Sequence, residues 1–211
     1  MTVWARLGRW LSAHHGPALG TLAAEGFLAI DLETTGLDAR SDSIVSIAAI
    51  PFVRGEPGPG YVTLVHPGRP IPPSASAVHG LTDATVADAP AVDRVVREIE
   101  PLLDHRIIVG HGVHFDLAIL NRERRACGLS PLGNHALDTQ RLAASLRPGW
   151  LEYSLEPVAT HLGVEVAGRH TAEGDAVTAG RMLVRLLPLL EARGFRTVPE
   201  LLWAQRRAPL G

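Results

Sequence analysis

Two carboxylates stand two residues apart in the run Asp31-Leu32-Glu33-Thr34-Thr35-Gly36. The run follows a short apolar stretch from Phe27, of the kind that forms a buried strand. Residues i and i+2 of a strand point to one face, so Asp31 and Glu33 would sit side by side at its end. Two adjacent anions there repel each other and lose hydration unless a cation lies between them. Carboxylate oxygens suit a hard divalent ion, Mg2+ or Mn2+. Thr34, Thr35 and Gly36 then turn the chain and bring backbone N–H groups near whatever such an ion holds. Read singly, the pair is also compatible with two solvated carboxylates at a strand end.

Two later runs carry further polar groups. In Gly110-His111-Gly112-Val113-His114-Phe115-Asp116, Asp116 opens a helix directly after an apolar strand. Alone it reads as a cap or first-turn charge. His111 and His114 lack a cysteine or third histidine at zinc-like spacing, which argues against a zinc site. In His170-Thr171-Ala172-Glu173-Gly174-Asp175-Ala176, Asp175 lies on a helix beginning near Ala172, and its small neighbours Gly174 and Ala176 allow close approach to a sheet. His170 falls in the preceding loop, where a mobile imidazole suits a general base; alone it reads as a surface histidine.

The elements that must position these groups are visible as periodicity. Strands are expected over Phe27–Leu32, Ser43–Val53, Tyr61–His66 and Arg106–Gly110, with a turn through Gly55–Gly60 and a proline-rich loop over Pro67–Ser76. Helices are expected over Val92–Leu103, Phe115–Cys127, Asp138–Leu146, Ser154–Leu162, Ala172–Leu187 and Val198–Arg206. Strands first and helices later predict an α/β fold, with a mixed central sheet (an antiparallel meander, then parallel strands) flanked by helices. The carboxyl end of the first strand would remain open as a site. Trp4, Leu7, Trp10 and Leu11 fall at helical spacing ahead of Gly16-Pro17. The expected organisation is a helical extension over 1–26, a main domain over 27–192 and a helical tail over 193–211 packed on it.

Composition removes several chemistries. The 20 basic residues are all arginine. A Walker-A site, a pyridoxal Schiff base and a protein-kinase ATP site all need lysine and are excluded. A formal charge of −2 provides no basic footprint for passive nucleic-acid binding. It leaves room for an enzyme whose acidic cluster is filled by cations. Cys127 is the only cysteine, so no intrachain disulfide forms, and a reducing compartment fits. The first fifteen residues lack the continuous apolar core of a secretory signal. The most apolar stretch, Met182 to Leu190, is interrupted by Arg185 and Pro188, so no membrane partner is expected and a cytoplasmic location is.

Asp-x-Glu, then Phe-Asp after a strand, then His-x-x-x-x-Asp opening a helix, in this order, resembles the DEDDh branch of the DnaQ-like 3′→5′ exonucleases. The resemblance spans about Phe27 to Leu190 and is closest to epsilon-type proofreading subunits of bacterial replicative polymerase. His79-Gly80-Leu81-Thr82, Leu137-Asp138-Thr139 and Tyr153-Ser154-Leu155 are supporting matches. It implies an RNase H-like fold and two divalent cations, Mg2+ or Mn2+, held by Asp31, Glu33, Asp116 and Asp175. It implies His170 as general base and release of nucleoside 5′-monophosphates from single-stranded or frayed 3′ ends, most simply of DNA. Thr34, Thr35, Gly36, His79, Leu81 and Phe115 would contact the terminal nucleotide; Leu81 and Phe115 are equally compatible with core packing. The partners implied are single-stranded DNA or RNA 3′ ends and a DNA polymerase subunit.

One departure stands out: where the family often has Asn shortly before Phe-Asp, this chain has Gly112. An RNA-directed exonuclease, of oligoribonuclease or RNase T type, would use the same five residues. A non-catalytic binding module of the same fold is opposed by the complete set. A haloacid-dehalogenase-type phosphatase is opposed by Glu33 and by the lack of lysine. The short stretch after the catalytic region leaves little room for a polymerase-tethering tail, so a stand-alone or loosely associated exonuclease is expected.

Overall fold

The structure, a computed structural model, describes residues 18–208. Its central strand is β1 (Phe27–Thr34). β1 pairs antiparallel with β2 (Ile44–Val53) along its whole length, from Phe27 opposite Phe52 to Thr34 opposite Ile44. On its other side it pairs parallel with β5 (Ile108–Gly110), which pairs parallel with β6 (Ala136–Asp138). The short β3 (Glu56–Pro57) and β4 (Tyr61–Leu64) both pair antiparallel with β2, completing a six-stranded mixed sheet. This is the expected RNase H-like α/β arrangement.

Sheet alternation divides the interior in two. Phe27, Ala29, Ala48, Ile50 and Phe52 face one layer, with the rings of Phe27 and Phe52 stacked at 4.9 Å. That layer contains α1 (Leu19–Glu25), α7 (Thr139–Leu146), α8 (Leu155–Leu162), α9 (Ala172–Ala192) and α10 (Val198–Arg206). Leu28, Ile30, Ile47, Ala49 and Ile108 face the other layer, against α4 (Val92–Glu98), α5 (Glu100–Leu103) and α6 (His114–Ala126). On α9, Ala176, Ala179, Met182, Leu183, Leu186 and Leu190 form a buried stripe, and Asp175 stands at its N-terminal end. Because β1 alternates, Asp31 and Glu33 share the face of Ala29, which is the face α9 covers.

Several elements differ from their sequence expectation. β6 stands where the periodicity predicts only the start of a helix; three residues are too few to show alternation, and pairing with β5 creates the strand. α2 (Pro73–His79) overlaps the end of the loop expected over Pro67–Ser76, with Pro73 at its start, where its missing N–H costs nothing, and α3 (Asp83–Val86) stands where no element is expected. The helix expected over Val92–Leu103 divides at Ile99, where Pro101 cannot continue the hydrogen-bonding. Conversely, α9 runs through Pro188 to Ala192, held by its buried stripe. The helix expected around Trp4–Leu11 lies outside the described residues, while α1 falls within the same expected extension.

Candidate metal centre

The β1–β2 register shifts between Glu33 and Thr34, a bulge that ends the regular ladder just beyond the carboxylate pair. The turn that follows is tightly bonded. Thr34 Oγ1 donates to Gly36 O at 2.6 Å, Thr35 Oγ1 to Asp42 Oδ1 at 2.9 Å, and Thr35 N–H to Ser43 O at 2.9 Å. Both threonines are buried, and the Thr35 amide is committed to the turn. From α6, Arg122 donates to Ala39 O at 2.7 Å and to Asp42 O, locking the loop after the turn to the helix that carries Asp116.

Ligand oxygens of Asp31, Glu33 and Asp175 lie within 4.8 Å of one another. Asp31 and Glu33 are partly buried and Asp175 is buried at 4 % exposure. Asp116, 6 % exposed, is not in this triplet; its Oδ1 accepts the Leu32 N–H at 3.1 Å, which fixes it beside the strand carrying Asp31 and Glu33. Burial and mutual repulsion oppose ionisation of all four. Asp31 is raised well above the usual carboxylate range by burial, then by Asp116, Asp175 and Glu33. Glu33 is pushed up to about 7, by burial and then Asp175. Asp116 is pushed up to about 8 by burial, although its own and the Leu32 backbone N–H groups favour the anion. Asp175 is raised by burial against the pull of Arg169. Asp175 Oδ1 is buried and has no hydrogen-bond partner among the described residues. An orphaned oxygen beside two other carboxylates is the donor set a hard divalent cation requires, so the residues fit one.

Asp175 is placed by a compact loop. Thr171 caps α9, its Oγ1 accepting the Gly174 N–H at 3.1 Å and donating to Gly168 O at 2.6 Å. The close approach that Gly174 allows is to this loop: a Cβ there would lie 2.1 Å from Gly168 O. His170 adopts left-handed backbone geometry, with φ of 60°, uncommon for a side-chain-bearing residue. Its N–H donates to Asp175 Oδ2 at 3.3 Å. The preceding residue, Arg169, donates through Nη1 to the same Oδ2. Arg169 escaped the motif reading because it belongs to none of the metal-type residues; its adjacency to His170 is its only sequence signal.

The other expected contacts distribute around this centre. His79 ends α2, and its Nδ1 accepts the Leu81 N–H at 3.0 Å. Burial lowers the His79 pKa, against a hydrogen bond to the Thr34 backbone and with the nearby His170 adding to the lowering. Leu81 packs on the Val45–Ile71–Ala75–Val86 cluster and Phe115 on the layer of α4 and α6, each keeping part of its surface exposed. His111 has both ring nitrogens engaged, at 3.0 Å from Thr139 Oγ1 and 2.8 Å from Tyr153 O, so it ties β5 to the segment before α8. Gly112 has φ of 74°, and its N–H donates to Asp138 Oδ1 at 3.0 Å. Asn is among the few other residues that tolerate this geometry, so either residue could make this turn.

Residues 28–183 match the RNase T family, described as Exonuclease. A DNA polymerase III subunit epsilon-like protein of Rhodobacter capsulatus is 40% identical over 186 residues, covering 86% of this chain and 26% of the relative. The chain thus spans about a quarter of that relative's length. The DNA polymerase III subunit epsilon of Treponema pallidum is 34% identical, with 71% of each chain covered. Among solved structures, Exonuclease X in complex with 5′ overhanging duplex DNA superposes with a TM-score of 0.66 at 27% identity, covering 83% of this chain and 97% of that one. E. coli Exonuclease I bound to a dT13 oligonucleotide shares the fold, with a TM-score of 0.69 at 21% identity over 81% of this chain and 42% of that one. Among the described residues no helix is long and apolar enough to cross a membrane. With its acidic triplet, mixed sheet and family match in agreement, this chain belongs to the exonuclease family of the DnaQ-like DEDDh 3′→5′ superfamily, related to the epsilon subunits of DNA polymerase III.

Proposed function

We propose that this protein is a divalent-metal-dependent 3′→5′ exonuclease that removes nucleoside 5′-monophosphates from single-stranded or frayed DNA. The observation that carries the reading is the convergence of Asp31, Glu33 and Asp175, with Asp175 Oδ1 left unpartnered. Asp31, Glu33, Asp116 and Asp175 would hold two Mg2+ or Mn2+ ions. Bound there, such ions supply an acidified attacking water and compensation for charge developing on the phosphate.

The chain's own residues do the rest. His170 takes the proton of the attacking water as the new P–O bond forms. The P–O3′ bond breaks in line, and the leaving O3′ gains a proton to become the new 3′ end. His79, which contacts the Thr34 backbone, and the exposed edges of Leu81 and Phe115 receive the terminal nucleotide beside the Thr34-Thr35-Gly36 turn. The catalytic unit is residues 27–192, and the helix beyond it supports the sheet edge. The DNA preference rests on the polymerase III relatives and on the DNA complex of Exonuclease X.

The test is degradation of 5′-labelled single-stranded DNA, of mismatched duplex and of a matched RNA, with Mn2+ or with excess chelator. A ladder shortening from the 3′ end, abolished by chelator, by a 3′-phosphate and by Asp31→Ala, is expected. Cutting of circular single strands, or undiminished hydrolysis in chelator, would overturn the reading. Faster loss of the RNA would reassign the substrate.

A further inference from the structure

We propose that Arg169 is a positioning residue of the metal centre: it holds Asp175 by one oxygen so that the other is presented to the cation. The proposal rests on the divalent-cation reading of the carboxylate cluster. The two oxygens of Asp175 have divided surroundings. Oδ2 accepts from Arg169 Nη1 and from the His170 N–H, while Oδ1 is buried and has no hydrogen-bond partner among the described residues. A free carboxylate rotates about its terminal torsion through a broad, nearly two-fold range. Two donors on one oxygen remove that freedom, and Asp175 offers its ligand atom within 4.8 Å of those of Asp31 and Glu33.

A ligand whose orientation is set before the ion arrives binds metal more tightly. Arg169 is suited to the task. Its side chain is only 29% exposed, it cannot lose its charge, and its donors form a rigid fork. Its Nε is buried without an acceptor, so the guanidinium is not a saturated structural ion pair. The backbone is arranged for the same purpose. Gly168, Thr171 and Gly174 close the loop in a form that directs two consecutive residues, Arg169 and His170, onto one carboxylate oxygen. The position of the ligand and that of the proposed base are therefore coupled.

The coupling is testable without catalysis. Mn2+ affinity of the full chain is measured by calorimetry for the wild type, Arg169→Ala and Arg169→Lys, with circular dichroism confirming the fold. Loss of an orienting partner typically costs about 10–100-fold in metal affinity, and that loss is expected for Arg169→Ala. Arg169→Lys keeps a cationic donor and should recover part of it. Unchanged or tighter Mn2+ binding by folded Arg169→Ala would overturn the proposal, leaving Arg169 a mere counter-charge. If neither variant folds, Arg169→Gln, which keeps a neutral donor, decides by the same affinity criterion. A wild-type protein that binds Mn2+ yet degrades nothing would refute the exonuclease reading and leave this one standing.

Discussion

His170 and His114 have different surroundings although both lie within a few residues of a cluster carboxylate. His170 is partly buried and its backbone amide touches Asp175, whereas His114 is exposed at the start of α6. His170→Ala should lower the single-turnover rate by about 10²–10⁴, the usual contribution of a general base. Mn2+ affinity should change little, because the backbone N–H to Asp175 survives the substitution. His114→Ala should leave both quantities near wild type. The reverse pattern, in single-turnover kinetics and Mn2+ titration, would move the base elsewhere. At this scale the carboxylates that converge, Asp31, Glu33 and Asp175, were legible because each stands in a motif of distinctive spacing. Arg169 was not, since an arginine in a loop declares no partner until the fold brings Asp175 to it.

At the scale of elements, β6 is an edge strand, and an edge leaves backbone groups without a ladder partner. Gln205 from α10 fills that place: its Nε2 donates to Ala136 O at 2.8 Å and its Oε1 accepts the Asp138 N–H at 2.9 Å. The side-chain amide thus substitutes for a neighbouring strand. Its effect reaches the site, because Asp138 caps α7 and holds the Gly112 N–H ahead of Asp116. Gln205→Leu should destabilise the chain by about 1–3 kcal/mol, the cost of leaving buried polar groups unpaired. It should also speed amide exchange at Asp138; urea unfolding and hydrogen exchange would show both, and an unchanged Asp138 exchange rate would contradict the clamp. No pattern in the sequence announces this contact, which joins residues 67 and 69 positions apart.

For the whole molecule, the acidic cluster sets how stability responds to pH. Asp31, Glu33, Asp116 and Asp175 all hold their protons more tightly in the metal-free folded chain than in the unfolded one. A carboxylate raised in this way favours folding fully below its unfolded pKa of about 4, and that advantage is lost as pH rises through the folded value. With Glu33 at about 7 and Asp116 at about 8, metal-free protein should lose thermal stability steadily from about pH 4 to about 8. Added Mn2+ should flatten the slope by stabilising the ionised carboxylates, and Asp31→Asn should reduce it. A Tm in chelator that is level across this range would show that the cluster is less strongly coupled to folding than its burial implies.

The sequence by itself determined the family and the architecture class. Asp31 and Glu33 were readable as a pair because spacing on a strand is local geometry, Asp175 joined them through the resemblance its motif carries, and the two periodicities separate strands from helices without tertiary knowledge. The absence of lysine narrowed the chemistry before any fold was considered. Tertiary structure alone decided which groups meet. It made β6 a strand by pairing it with β5, closed the Gly168–Gly174 loop onto the head of α9, and set Arg169 and Gln205 on partners their neighbours in sequence do not indicate. The reason is physical: hydrogen bonds and ion pairs between distant segments depend on where packing brings backbones together, and side-chain period carries no record of that.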